Sequence, residues 1–173
     1  MFYFDGNLKR YEKECSWDKA LVYLENLFAK QYNIQILNSL IGFSWYYLIE
    51  GPVDSGRFEE DDNHIALIVW KKYLEIGINN YKTDYSFCLI AGYTLLMHGF
   101  YIDEYRKNSE LIALQMLKYA MNASDLNIKE FSKCILKLQQ QKRYKPIKLH
   151  QEVFNALFYN DSLLENYFRH LYG

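Results

Sequence analysis

Ile41-Gly42-Phe43-Ser44-Trp45-Tyr46-Tyr47-Leu48-Ile49-Glu50-Gly51, followed after a polar break by Ala66-Leu67-Ile68-Val69-Trp70-Lys71-Lys72-Tyr73, is written a second time further along the chain. The counterpart of the first segment is Leu89 to Gly99, at an offset of 48, and that of the second is Ala113 to Ala120, at an offset of 47. The aligned positions keep their chemical character: Ile41 with Leu89, Trp45 with Tyr93, Leu48 with Leu96, Gly51 with Gly99, Ala66 with Ala113 and Lys71 with Lys118. Ala20-Leu21-Val22-Tyr23-Leu24 reads as a partial third copy of the second segment. Two helical segments recurring at this spacing predict stacked hairpins, because one hairpin cannot bury its own apolar faces and a neighbour can. The expected fold is all-α, with about eight helices in stacked antiparallel hairpins forming a short α-solenoid. A chain of 173 residues is long enough to bury a core without staples, so one helical-repeat domain over residues 1–173 is expected.

Working outward, Ser16 followed by Trp17-Asp18 reads as an N-cap and acidic first turn of a helix running to about Lys30. The segment before it, Met1 to Cys15, has weaker periodicity. A second helix is predicted from Asn33 to Glu50, where Leu37, Leu40, Ile41, Ser44, Trp45 and Leu48 recur at three- and four-residue steps. Gly51-Pro52 is expected to end it, since proline cannot continue the hydrogen-bond ladder. Asp61-Asp62 starts a third helix to about Ile78, and Thr83-Asp84 caps a fourth that ends near Gly99. A fifth begins at Asn108 or Ser109, and Ser124-Asp125 caps a sixth. In that sixth helix Ile128, Phe131, Ile135 and Leu138 form an apolar stripe, with Lys129, Lys133 and Lys137 on another side. Past Lys145-Pro146, two short helices at Leu149 to Tyr159 and Asp161 to Leu171 are expected to cover the open end of the stack. No run alternates with period two between hairpin turns, which argues against a sheet.

The stretches Asn33 to Ile49 and Tyr85 to Ile102 contain no charged residue. They also carry Asn33, Gln35, Asn38 and Ser39 in one and Ser86, Gly92, Thr94 and His98 in the other, which hydrocarbon would penalise, so both read as enclosed helices of a water-borne fold and no membrane contact is expected. Cys15, Cys88 and Cys134 are odd in number and lack metal-binding spacing, and Met1-Phe2-Tyr3-Phe4-Asp5 has no secretion pattern. A reducing, cytoplasmic location is the expectation.

Catalytic chemistry is not anticipated. Cys88 and His98 share one predicted helix, but ten intervening steps separate them by about 15 Å. Glu60 and His64 have the i,i+4 spacing of a metal pair without a second ligand motif, and carboxylates at a helix start already suit the macrodipole. There is no phosphate loop, dinucleotide glycine pattern or serine elbow. Neither an enzyme activity, a metal, a cofactor nor a small-molecule substrate is expected.

Charge is more informative. The overall balance is −1, too small to steer the chain globally to nucleic acid. Locally, Glu50, Asp54, Glu59, Glu60, Asp61 and Asp62 stand against Arg57, a balance of −5 over residues 50–62. Lys129, Lys133, Lys137, Lys142, Arg143, Lys145 and Lys148 stand against Glu130, a balance of +6 over residues 129–148. A solvated helix face accounts for the basic set, so nucleic acid is not the expected partner. The acidic run exceeds what capping requires, and four adjacent carboxylates repel one another. Glu59, Glu60, Asp61 and Asp62, with Arg57 and Phe58, are therefore the candidate partner-binding residues, matched to a basic patch on a protein.

Leu40 to Pro52 together with Ile65 to Ile78 resembles a divergent tetratricopeptide-type repeat, although the spacing here is longer and that family's proline position is not met. A small helical chain rich in Tyr, Asn, Lys and Ile and carrying Leu40 to Pro52 also resembles the immunity proteins of bacterial polymorphic toxins, including those of contact-dependent growth inhibition. That resemblance implies a non-enzymatic cytoplasmic protein that neutralises one cognate toxin, commonly a nuclease. The competing expectation is a peptide-binding adaptor or regulator that uses the concave side of its hairpins.

Overall fold

The structure is a computed structural model that describes residues 1–55, 60–102, 105–141, 156–157 and 162–172; the side chains of 51–55, 60–64, 141, 163 and 169–172 lie outside that description. The described residues form eight α-helices and no strand. In chain order these are α1 (Gly6–Lys13), α2 (Trp17–Gln31), α3 (Ile34–Ser55), α4 (Glu60–Asn80), α5 (Tyr85–His98), α6 (Ser109–Ala120), α7 (Leu126–Gln141) and α8 (Leu163–Tyr172), with one 3-10 turn at Gly99–Tyr101. They pack as stacked helical hairpins in two compact units. Phe2–Tyr81 makes up the N-terminal unit, and Lys82–Gly173 with Met1 makes up the C-terminal one.

The division between the units falls between the two copies of the repeat. In the N-terminal unit the dominant pairing is α3 with α4, and α2 packs on both; in the C-terminal unit it is α5 with α6, and α7 packs on both. Aligned apolar positions share equivalent environments. Ile41 and Leu89, Trp45 and Tyr93, and Ala66 and Ala113 are fully buried, as is Ala20 of the partial third copy. Leu48 and Leu96 are both half-buried.

The two uncharged helices are the most enclosed elements of their units. Ile36 through Tyr47 of α3 and Phe87 through Leu95 of α5 are buried without interruption. Two hydroxyls inside these runs bond to their own helix: Ser44 Oγ donates to Leu40 O (2.6 Å), and Thr94 Oγ1 donates to Ala91 O (3.2 Å). Ser39 Oγ donates to Gln35 O (2.9 Å) and accepts from the backbone N–H of Tyr3 (2.7 Å), fastening the segment before α1 to α3. Such back-bonding lets a hydroxyl enter an apolar core without a costly orphan.

Asp84, Asp125 and Asp5 cap their helices. Asp84 Oδ1 accepts from Phe87 N (2.9 Å), and Asp125 Oδ1 accepts from Asn127 N (2.8 Å) and Ile128 N (3.3 Å). Asp5 caps α1 by accepting from Asn7 N and Leu8 N, each at 3.0 Å. Ser16 stands at the N-cap of α2, but its hydroxyl makes no capping bond, contrary to the expectation from its position. Helix α3 also differs from expectation: it continues through Gly51-Pro52 to Ser55. Proline forfeits only its own bond back to the carbonyl of Leu48, and the three residues that follow it to Ser55 keep their N–H groups for the ladder. At the C-terminal end, Ser162 Oγ caps α8 by accepting from Glu165 N (3.0 Å). The helix expected from Leu149 to Tyr159 lies almost wholly outside the described residues.

Aromatic rings build both cores. Trp17 packs against Phe43, Tyr46 and Tyr47 at centroid distances of 5.5, 5.6 and 5.7 Å. Tyr93, Phe131 and Phe168 form the corresponding cluster of the C-terminal unit, with Tyr93 5.1 Å from Phe168. The buried Nε1 atoms of Trp17 and Trp70 meet no acceptor among the described residues, so ring packing alone holds these indoles.

Candidate interaction surfaces

Burial, with Asp84 nearby, pushes the Cys88 thiol up to about 12, and the thiol donates to Lys82 O at 3.2 Å. Cys134 is raised by burial, and His98 is lowered by it. Desolvation thus disfavours the thiolate and imidazolium forms that a cysteine–histidine pair would use. No group of three or more His, Cys, Asp or Glu among the described residues is arranged to hold a metal ion. No described helix is long and apolar enough to cross a membrane.

What the fold offers outward is surface. Helix α4 buries Ala66, Val69, Trp70, Tyr73 and Leu74 on one side. At 100° per residue the opposite side receives Ile65 and Ile68, which are 47% and 52% exposed. Helix α2, packed on α4, adds Val22 at 56% exposure, two residues after Ala20 just as Ile68 is two residues after Ala66. Beside these apolar groups Lys72 Nζ donates to Glu25 Oε1 at 2.8 Å, tying α4 to α2. Tyr73 Oη donates to the same oxygen at 3.2 Å, and the Lys72 ammonium lies 4.9 Å from the Tyr73 ring centroid. The hydrogen bond to Glu25 is the main reason the Lys72 ammonium is held above its ordinary range.

A second surface belongs to the C-terminal unit. Past the end of α5 the 3-10 turn carries Phe100 and Tyr101, half exposed, with ring centroids 4.5 Å apart and both rings 5.9 Å from His98. The turn is pinned. Arg106 Nε donates to Phe100 O (3.3 Å), and a Cβ at Gly99 would collide with Ser109 at the start of α6. Leu111, in the first turn of α6, is also exposed.

The basic face of α7 is weaker than its sequence implies. Lys133 donates to Glu130 at 2.6 Å, and that bond holds the Glu130 carboxyl below its usual range. The residues 142–148 that would extend the face lie outside the described residues. So do Arg57, Phe58 and Glu59 of the acidic candidate set. Glu60, Asp61 and Asp62 form the first turn of α4, one turn ahead of Ile65, with side chains outside the description.

The exposed isoleucines were legible in principle. The spacing of Ala66, Val69, Trp70, Tyr73 and Leu74 fills one helix face, which leaves positions 65 and 68 for the other. No such signal existed for Phe100 and Tyr101, since a helix end at Gly99 does not say whether the next residues turn in or out. Comparison of the chain with protein-family models, with curated proteins and with solved structures finds no match.

Proposed function

We propose that this chain is a non-enzymatic immunity protein that binds and neutralises a cognate bacterial toxin in the cytoplasm. The observation that carries the reading is the pinned aromatic turn at Phe100 and Tyr101 on a helical-hairpin scaffold. Rigid, half-exposed aromatic pairs give a large contact area at small entropic cost, which is the character of an interface anchor. The acidic run Glu59 to Asp62 adds charge suited to a basic surface, as on a nuclease where it holds phosphate, and would speed encounter. Contact-dependent growth inhibition is the kind of system in which such a protein protects its own cell.

The test induces toxin domains encoded beside this gene in a host with and without the protein. Restored growth together with a stable one-to-one complex is expected, and growth arrest in both hosts overturns the reading. Reversing Glu59 and Glu60 to lysine is expected to slow association at low salt while leaving the melting temperature unchanged. Unaltered association would remove the acidic run from the interface and leave the aromatic turn as the contact.

A further inference from the structure

Two tyrosines of the C-terminal unit stand face to face where its central hairpin begins and ends. Tyr85 is the first residue of α5 and Tyr119 the last but one of α6, and their rings stack at a centroid distance of 5.0 Å and an interplanar angle of 23°. Both are half-buried, so solvent reaches each ring. The Tyr119 hydroxyl donates to Thr83 O at 3.3 Å, which holds it beside the start of α5. Partial burial first, and the phenol of Tyr85 after it, raise Tyr119 above the ordinary tyrosine range, so the two hydroxyl ends are neighbours. The helices are held together under the pair: Asp84 caps α5 next to Tyr85, and Gly92 lets α6 close against α5. Extending the repeat offsets, the same two places in the first copy hold Leu37 and Lys72. A hairpin of this kind therefore closes without a ring pair.

We propose that Tyr85 and Tyr119 are an oxidative modification site, at which a peroxide-derived one-electron oxidant couples the two rings into a dityrosine that staples α5 to α6. Each phenol gives one electron to the oxidant and its O–H proton to water. The two phenoxyl radicals join through the ring carbon ortho to each oxygen, forming one C–C bond. The hydrogen on each of those carbons then moves to its own phenol oxygen and restores the ring. The chain ends two hydrogen atoms lighter, and the O–O bond of the peroxide, cleaved by two electrons and two protons, ends as two hydroxyl groups. Because the fold already holds the rings in contact, coupling is intramolecular and outpaces encounter between chains. Cys88, three residues from Tyr85, is a poor interceptor because its thiol is buried, protonated and bonded to Lys82 O.

The test illuminates the purified full chain with ruthenium tris-bipyridyl and persulfate and separates monomer from chains linked to one another. Blue dityrosine fluorescence is expected in the monomer, with two hydrogens lost from the intact mass and a peptide pair joining Tyr85 to Tyr119. Y85F and Y119F are each expected to abolish that fluorescence from the monomer. Y32F is expected to leave it, although Tyr32 is 68% exposed, because exposure without a held neighbour favours links between chains. Treatment should raise the melting temperature of the wild-type monomer and not that of Y119F, since a link closing residues 85–119 restricts the unfolded chain. A wild-type monomer without dityrosine overturns the inference. So does a link that maps to Cys88 or to another tyrosine, full yield in either hairpin variant, loss of the signal in Y32F, or a stapled chain that melts no higher.

Discussion

Gly92 of α5 and Leu117 of α6 meet where no side chain fits between them: a Cβ at position 92 would lie 3.0 Å from Leu117 Cγ and 3.1 Å from both Ala113 O and Met116 Cβ. The missing methyl sets how closely the central hairpin of the C-terminal unit closes. Two of its neighbours, a backbone oxygen and a Cβ, sit on the helix itself and cannot swing aside. G92A is therefore expected to destabilise by about 1–2 kcal/mol, overpacking outweighing the gain of roughly 1 kcal/mol from removing a helix glycine. G92V should cost more. A shift of the urea midpoint to higher concentration in G92A would show that the hairpin opens without strain.

Leu89, fully buried on the same helix, should lose about 2–5 kcal/mol on replacement by alanine. Half-buried Leu96 should lose clearly less. Equal losses at the two sites, read from the same unfolding curves, would contradict the burial pattern.

Asp5 links α1 to α2: besides capping, its Oδ2 accepts from Tyr3 Oη (2.9 Å) and Tyr23 Oη (2.5 Å). Burial works to raise its carboxyl, and hydrogen bonds from Tyr23, Leu8, Tyr3 and Asn7 together outweigh that and hold it below the usual carboxylate range. A carboxyl lowered on folding contributes stability above its unfolded value, about 3.9, that is lost as pH falls through the folded value. D5A should cost about 1 kcal/mol at neutral pH through the lost cap alone. D5N keeps a capping oxygen, so the wild-type advantage over it should fade as pH drops from about 4 through the lowered folded value. A difference between wild type and D5N that is flat across that window would rule the charge out.

Thiol labelling separates the cysteines. Cys15 is exposed, whereas Cys88 and Cys134 are buried with raised thiols. At pH 8 one thiol should react quickly and two only on unfolding. Rapid labelling of Cys88 in the folded chain would show that α5 opens locally.

The Lys72–Glu25 bridge between α4 and α2 is exposed enough that a double-mutant cycle should give a coupling below about 1 kcal/mol. The Lys72 ammonium is raised in the fold, so its contribution is complete below its unfolded value of about 10.4 and is lost as pH rises through the folded one. A coupling that persists unchanged at high pH would show that the charge on the ammonium is not its source.

How far the chain could be read from its residues varied with the kind of signal. Helix α5 was bounded correctly because two independent signals agreed, a capping Asp84 at its start and Gly99 at its end. Helix α1 has little apolar periodicity; it forms because Asp5 caps it and Leu8 reaches the core, a tertiary cause invisible in a window of sequence. The end of α3 was misread because a proline stop is a local rule, and packing along the preceding buried turns overrides it. Of the surfaces, charge could be counted in advance, but exposure depends on which face each neighbour covers. Spacing alone could set Ile65 and Ile68 opposite the buried face of α4, whereas Phe100 and Tyr101 emerge only in the folded unit.

Because the chain divides between its repeat copies, its natural chromophores divide unevenly. Trp17, Trp45 and Trp70 all belong to Phe2–Tyr81, and Lys82–Gly173 contains none. Indole fluorescence therefore reports one copy of the repeat, whereas backbone ellipticity sums over both. Overlaying the two signals during denaturation, with no label and no mutation, measures whether the duplicated halves lose their order in step or in turn.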